Sequence, residues 1–245
     1  MTRLFKADLH IHTCLSPCAQ LEMTPRAIVR QAKLKGLDII GISDHNSAEN
    51  VVVTKKIGEK EGLVVIGGME VTSREEVHIL AFFADDEQLL KFQDIVYDNL
   101  TTGTNCTEVF GEQVVVNEID EIIGFNQRLL IDATGLSINE LVDKIHSFEG
   151  IAVASHIDRE GFGIIGQLGF IPPDSGLDGF EISSKITLEE AKDRFHGRNS
   201  FITGSDAHNL LDIGKSFTQF LLELPTLKEI ELALKGQGGR FLVDK

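Results

Sequence analysis

The chain has 245 residues, 42% of them hydrophobic, which is enough material for one α/β barrel or two small domains. With 38 acidic against 23 basic residues it carries a formal net charge of −15, which argues against an extended nucleic acid held over a wide surface, because such binding relies on many Lys and Arg contacts. No apolar run approaches the roughly 18–20 residues of a membrane helix, and MTRLFKADLHIH enters a strand without a signal-type apolar core, so a soluble cytoplasmic protein is expected.

The stretch ADLHIHT, residues 7–13, sets His10 and His12 two positions apart on a predicted strand. Side chains of a strand alternate between faces, so the two imidazoles project to one side and can close on one cation. A loop, CLSPCAQLEM, follows, and then a helix whose start is marked by Thr24 as cap and Pro25 at its first position; it stops at Gly36. DIIGISDHN reads as a short buried strand ending in Asp44, His45 and Asn46. A helix from about Ala48 to Glu61 hands over at Gly62 to LVVIGGME, a strand that ends in Glu70. VHILAFF begins with His78 and leads to a helix of about Asp86 to Leu100. This alternation predicts parallel strands covered by helices.

Residues 101–136 break the rhythm and read as an inserted excursion within a single domain spanning 1–245, a lid or small subdomain. At Ser137 the sequence SINE supplies a capping box before the next helix, which Gly150 closes. The strand IAVASH delivers His156, with Asp158 and Arg159 just beyond. DGFEISS ends near Ser184 and Lys185, and a helix with a second capping box at Thr187 and Glu190 follows. SFITGSDAH ends in Asp206 and His208, and FTQFLLEL and LKEIELALK complete the chain.

Collected, the candidate metal ligands are His10, His12, His45, Glu70, His78, His156, Asp206 and His208, and nearly all lie at the C-terminal ends of predicted strands, where α/β barrels and open sheets build their sites. Six of the eight histidines fall in this set, a placement that packing or solubility does not explain. Imidazole mixed with carboxylate suits zinc, manganese or iron. The set is too large for one four-coordinate ion, so two or three divalent ions are expected, with Glu70 as the natural bridge. Cys14, Cys18 and Cys106 cannot all pair, and no disulfide framework is indicated.

The series DLHIHT, SDHN, GGME, His78, ASH and GSDAH resembles the PHP family, named for the polymerase and histidinol phosphatase proteins that share it. The resemblance spans essentially the whole chain outside the excursion. It implies a distorted (β/α)7 TIM-like barrel with its metal site at the C-terminal ends of the strands, and hydrolysis of a phosphoester. Carried to matching positions, it assigns His10, His12, Glu70 and Asp206 to one ion, and Glu70, His78 and His156 to a second. A third ion in such members uses positions matching His45 and His208 together with a loop histidine, where this chain has Cys18. Other members have an aspartate one position earlier, where this chain has Pro17. Cys18 reads either as a thiolate ligand that favours zinc or iron, or as an unligated loop thiol.

The expected catalytic groups are Arg159, Glu70 and Asp206. Arg159 is expected to bind the scissile phosphate, since its planar fork matches two phosphoryl oxygens, and Lys185 is a second phosphate candidate. Asp44 and Asp8 read as groups that orient ligands, or as an ordinary cap and a polar strand residue. His146 and His196 read as structural or solvated. The leading functional expectation is a metal-dependent phosphoesterase acting on a small phosphorylated substrate. The alternatives are trimming of a nucleic-acid end, for which Arg159, Lys185, Arg194 and Arg198 are the available basic residues, and a metal-binding regulatory module without turnover.

Overall fold

The computed structural model describes residues 1–195 and 200–243. The first half of the chain runs β1 (Arg3–Ile11), α1 (Pro25–Leu34), β2 (Ile39–Ile42), α2 (Val51–Glu61), β3 (Val64–Thr72), β4 (His78–Phe83) and α3 (Asp86–Asn99). The excursion holds α4 (Thr107–Phe110), β5 (Val114–Val116) and β6 (Ile122–Phe125). The rest comprises α5 (Ile138–Ser147), β7 (Ile151–Ala154), α6 (Ile164–Leu168), β8 (Gly179–Ile182), α7 (Leu188–Arg194), β9 (Phe201–Thr203), β10 (Thr218–Leu222), α8 (Leu227–Leu234) and β11 (Phe241–Val243).

One sheet has the order β11-β10-β1-β2-β3-β4-β7-β8-β9. Just past β9 the backbone returns to β1: His12 N–H donates to the Ala207 carbonyl at 3.0 Å, and Ala207 N–H to the His10 carbonyl at 3.2 Å. Seven strands therefore curl into a nearly closed barrel, as the sequence implies, with β10 and β11 flanking β1 in antiparallel fashion. The expectation of parallel strands fails at β4, which is antiparallel to both β3 and β7. The connection from β3 is a short turn in which Ser73 N–H and the Val77 carbonyl pair at 2.9 Å, too short for a helical crossover. The reversal has a functional consequence: β4 starts at the rim where its neighbours end, which puts its first residue, His78, beside the others.

Capping boxes at Ser137 with Glu140 and at Thr187 with Glu190 form as expected. Thr24 makes no cap hydrogen bond; its hydroxyl donates to Asp120 at 2.7 Å and ties α1 to the excursion. At the end of α5 it is Glu149, with φ +58°, that takes the left-handed position, while a Cβ at Gly150 would meet a Phe83 ring carbon at 2.6 Å. Gly150 is there for close packing rather than for its backbone angle. The excursion's two strands form their own small sheet. It is clasped to the barrel by Asn46, whose amide donates to the Leu130 and Asp132 carbonyls at 2.8 Å, and by Asn50, which bonds Val114 and Val116.

Two apolar layers explain which face carries the site. An outer core including Ile28, Val29, Leu141 and Ile145 packs helices on the sheet. An inner core of Phe5, Ala7, Leu9, Ile66, Leu80, Phe82, Ile151 and Val153 joins residues of α8, including Leu227 and Ile230. Along β4, His78 continues the period-2 series of Leu80 and Phe82, so the site lies above the inner core. Strand β1 needs a correction of parity to join it, because the inner residues 5, 7 and 9 are odd while His10 and His12 are even. The β1–β2 register shifts between Asp8 and Ile11, and this bulge brings both histidines inward. Gly41 makes room for it: a Cβ there would lie 2.4 Å from the Leu9 carbonyl oxygen. Gly41→Ala is therefore expected to destabilise the protein by about 1–3 kcal/mol and to weaken metal uptake at His10 and His12. Thermal unfolding and metal titration check this, and an unaltered melting temperature with unaltered uptake would show that the bulge does not depend on Gly41.

Candidate metal centre

Every strand of the barrel contributes to one buried polar cluster. His10 and His12 come from β1 and the residue just beyond it, His45 from the segment after β2, Glu70 from β3 and His78 from β4. His156 follows β7, Glu181 lies on β8, and Asp206 and His208 follow β9. Glu70 is at the centre. His10 Nε2, His78 Nδ1 and His156 Nε2 approach its Oε1 at 3.3, 2.9 and 3.3 Å, while His12 Nε2 and His45 Nδ1 approach its Oε2 at 3.5 and 3.2 Å.

These distances suit a shared cation. Donors about 2.0–2.1 Å from a tetrahedral zinc ion lie roughly 3.3 Å from each other. Within the set His10, His12, Glu70 and Asp206 the separations include 3.1 Å between the two Nε2 atoms, and 3.3 and 3.2 Å from these to Asp206 Oδ1. Two further sets converge, His45 with Glu70 and His78, and His12 with His45 and His208. The buried Nδ1 atoms of His45, His78 and His156 form no hydrogen bond, although the first two lie close to Glu70 oxygens. Buried polar atoms left in this state are costly, and a cation beside Glu70 accounts for the Nδ1 atoms of His45 and His78, whereas His156 turns its Nε2 towards Glu70.

Electrostatics favours the ligating forms of His12, His45, Glu70 and Asp206. Burial, and next the charge of His208, lowers the His12 pKa to about 4; burial and His12 likewise hold His45 well below its ordinary value. Both rings keep a lone pair for a metal. Burial works against ionisation of Glu70, but the His78 and His10 charges outweigh it and hold its pKa well below the usual carboxylate range. Burial also opposes ionisation of Asp206, and His10 and His12 overcome it. For His10, burial is outweighed by Glu181, Glu70 and Asp206, which raise its pKa well above the ordinary value.

A layer of hydrogen bonds behind the cluster orients it, as is common around metal-ligating histidines. Glu181 Oε2 pairs with His10 Nδ1 at 2.9 Å and accepts from Ser155 Oγ and His156 N–H, each at 3.1 Å. Ser155 Oγ also lies 2.8 Å from Glu70 Oε1. His12 Nδ1 meets Ser16 Oγ at 2.9 Å, and that hydroxyl donates to Asp44 at 2.7 Å. Asp44 thus acts on His12 through Ser16, and burial raises its pKa to about 6. Asp8 accepts from Ser205 N–H at 3.0 Å and Gly214 N–H at 2.9 Å, which pins the segment carrying Asp206 and His208. Backbone strain gathers here too: Asn46, His156, Phe162 and Asp206 all have positive φ, a conformation that persists only when its surroundings enforce it.

All eight residues of the histidine, glutamate and aspartate set are brought together. Cys18 is exposed and enters none of the three sets, where His12 joins His45 and His208 instead. Arg159 reaches the cluster, with Nη1 2.5 Å from Asp206 Oδ2. A cavity of about 220 Å³ beside it is lined by Arg159, Glu181, Ser183, Ser205, Asp206 and Lys215, among others. Lys185 is exposed and does not line this cavity. His146 pairs with Asp178 at 2.8 Å, away from the cluster, while His196 and Arg198 lie outside the described residues. Sequence reasoning missed Glu181, Ser155 and Lys215. Glu181 sits in GFEIS, at a strand end like the other ligands, and that position was the available signal.

The model of the PHP domain matches residues 8–171, more than half of the chain. An uncharacterized protein of Methanocaldococcus jannaschii is 36% identical over 33% of this chain and 52% of its own length. The PolC-type DNA polymerase III of Staphylococcus epidermidis is 25% identical over 79% of this chain and 15% of the polymerase. Among solved structures, the lesion-specific endonuclease Q of Pyrococcus furiosus superposes with a TM-score of 0.77 at 21% identity, covering 98% of this chain and 58% of the nuclease. This chain therefore spans little more than half of the nuclease and a small part of the polymerase. Endonuclease Q has also been solved with a 27-mer duplex substrate carrying an abasic lesion at the active site, and that complex superposes with a TM-score of 0.75. In endonuclease Q a barrel of this fold thus receives duplex DNA, and that finding stands against the expectation of a small phosphorylated substrate with nucleic acid disfavoured. Net charge averages over the whole surface, whereas an anionic strand responds to the local field at the site it enters. Among the described residues no helix is long and apolar enough to cross a membrane. With its family model matched over six of the eight candidate ligand positions, from His10 to His156, this protein belongs to the PHP domain family.

Proposed function

We propose that this chain hydrolyses phosphodiester bonds of nucleic acid, using two or three divalent ions of zinc, manganese or iron held by the cluster around Glu70. Its family is one of metal-dependent phosphoesterases. The observation that carries the reading is the convergence of six imidazoles, Glu70 and Asp206 at one rim, with Arg159 reaching in from the side. His10, His12, Glu70 and Asp206 would hold one ion, and Glu70 with His78 and His45, joined by His156, another; His12, His45 and His208 also converge, as an alternative place for His12, whose one free nitrogen serves a single ion, and Cys18 lies outside all three sets. Ions in such shells lower the pKa of water towards neutrality and offset charge on phosphoryl oxygens.

The chain's own residues supply the rest. Arg159 is the phosphate clamp: Asp206 holds one end of its guanidinium, and the side chain, 37% exposed, keeps donors available to two phosphoryl oxygens. Lys215, in the cavity wall, and Lys185, exposed beside the cavity-lining Ser183 and Ser184, extend a basic edge from that clamp. Glu70 and Asp206, kept ionised in a buried setting, position the charge that the reaction needs. The excursion acts as a fixed wall rather than a swinging lid, because Asn46 and Asn50 clasp it from the barrel.

The protein is expected to cleave a labelled oligonucleotide, single-stranded or duplex with an abasic lesion, in the presence of manganese or zinc. Products of a single nucleotide would identify end trimming, and a discrete internal cut an endonuclease. Turnover confined to phosphomonoesters would sink the nucleic-acid reading, and no turnover on any ester would leave a metal-binding module. Chelator treatment should abolish cleavage and lower the melting temperature, both restored by adding the ion back. Arg159→Ala should lower kcat/KM by about tenfold or more, the scale of a lost charge-assisted hydrogen bond, with metal content retained; unchanged kinetics would remove Arg159 from the site.

A further inference from the structure

Resting on the nucleic-acid reading above, the geometry points to Phe162 as a stacking platform for the nucleobase that flanks the scissile phosphate. Its ring lies on the His78 imidazole with centroids 4.5 Å apart and planes at 18°, which occupies one face. The residue is 43% exposed. A large apolar ring is thus presented at the rim, one residue away from the Glu70 carboxylate, since His78 itself lies 2.9 Å from Glu70.

This placement is enforced. Phe162 has φ +60°, a conformation that bulky side chains avoid. Its carbonyl accepts the His78 N–H at 2.9 Å, which latches the loop to β4. A Cβ at Gly163 would lie 2.4 Å from the Arg159 carbonyl oxygen and 2.8 Å from that of His156, and one at Gly166 only 2.2 Å from the Glu160 carbonyl oxygen. The loop from His156 to Gly166 is drawn in so closely that these two positions exclude any side chain. Covering His78 alone calls for an apolar side chain, and neither an aromatic ring nor a strained backbone.

Every base has a π face, so stacking on an aromatic side chain holds a strand whatever its sequence. Arg159 stands three residues before Phe162 in the same loop and contacts Asp206. One rigid loop can therefore grip a nucleotide twice, Arg159 on the phosphate and Phe162 on the base.

The test uses the manganese-loaded protein and oligonucleotides in which a single 2-aminopurine, or a single tetrahydrofuran abasic residue, is scanned along the strand. Wild type should quench 2-aminopurine fluorescence at one position next to the cut. Phe162→Leu should lose that quench and raise KM for the base-bearing strand by about tenfold, while the abasic strand suffers much less; Phe162→Trp should restore both. Equal losses on both strands, loss of bound metal in Phe162→Leu, or no quench with wild type would overturn the platform. Quenching without cleavage would leave the platform standing and remove the hydrolytic reading instead.

Discussion

A buried carboxylate with five imidazoles around it is the constraint that organises this protein. Glu70 is 1% exposed, and His10, His12, His45, His78 and His156 approach its two oxygens at 2.9–3.5 Å. An isolated charge at such depth is prohibitively costly, so its surroundings must supply compensating charge and hydrogen bonds. The rest of the fold can be understood as the means of bringing those partners to Glu70 from four other strands. It also sets the rings apart: burial lowers the pKa of His12 and His45, while the carboxylates of Glu181, Glu70 and Asp206 raise that of His10.

Three departures from an ideal parallel barrel serve that convergence. The antiparallel β4 presents its first residue rather than its last at the rim. The bulge in β1 switches the parity of the strand opposite Gly41, so that two even-numbered histidines join a face begun by odd-numbered residues. The return of Ala207 to β1 closes the ring and delivers Asp206 and His208 across from His10 and His12. Two of the departures carry a local cost, an interrupted ladder at the β1 bulge and positive φ at Asp206 beside the return, strain of the kind that concentrates at functional sites.

The acidity of the chain and the nuclease-like fold are compatible once charge is taken locally. Many of the acidic residues lie on surface helices such as α3 and α7, some are neutralised in ion pairs such as Lys91 with Glu87 and Lys228 with Glu231, and surface charges beyond about 10 Å are screened at ordinary salt. At the rim the picture is different, with Arg159, Lys185 and Lys215 on one side and a ligand set that carries cations when filled. Composition argued against nucleic acid because it has no spatial resolution.

The sequence by itself determined the types of the candidate ligands, their order and their attachment to strand ends, because these depend on local patterns: alternation in ADLHIHT, apolar runs that stop at GGME and ASH, and capping boxes at Ser137 and Thr187. The alternation of strands and helices was legible for the same reason, and the barrel followed from the family resemblance. Tertiary structure alone decided that β4 runs backwards, that β1 is bulged, that Glu181 and Ser155 stand behind His10 and Glu70, and that Cys18 stays outside the ligand sets. Those outcomes depend on which strands become neighbours and on how closely their backbones approach, as at Gly41, and contacts between residues more than a hundred positions apart, such as His10 with Glu181, leave no periodic trace along the chain.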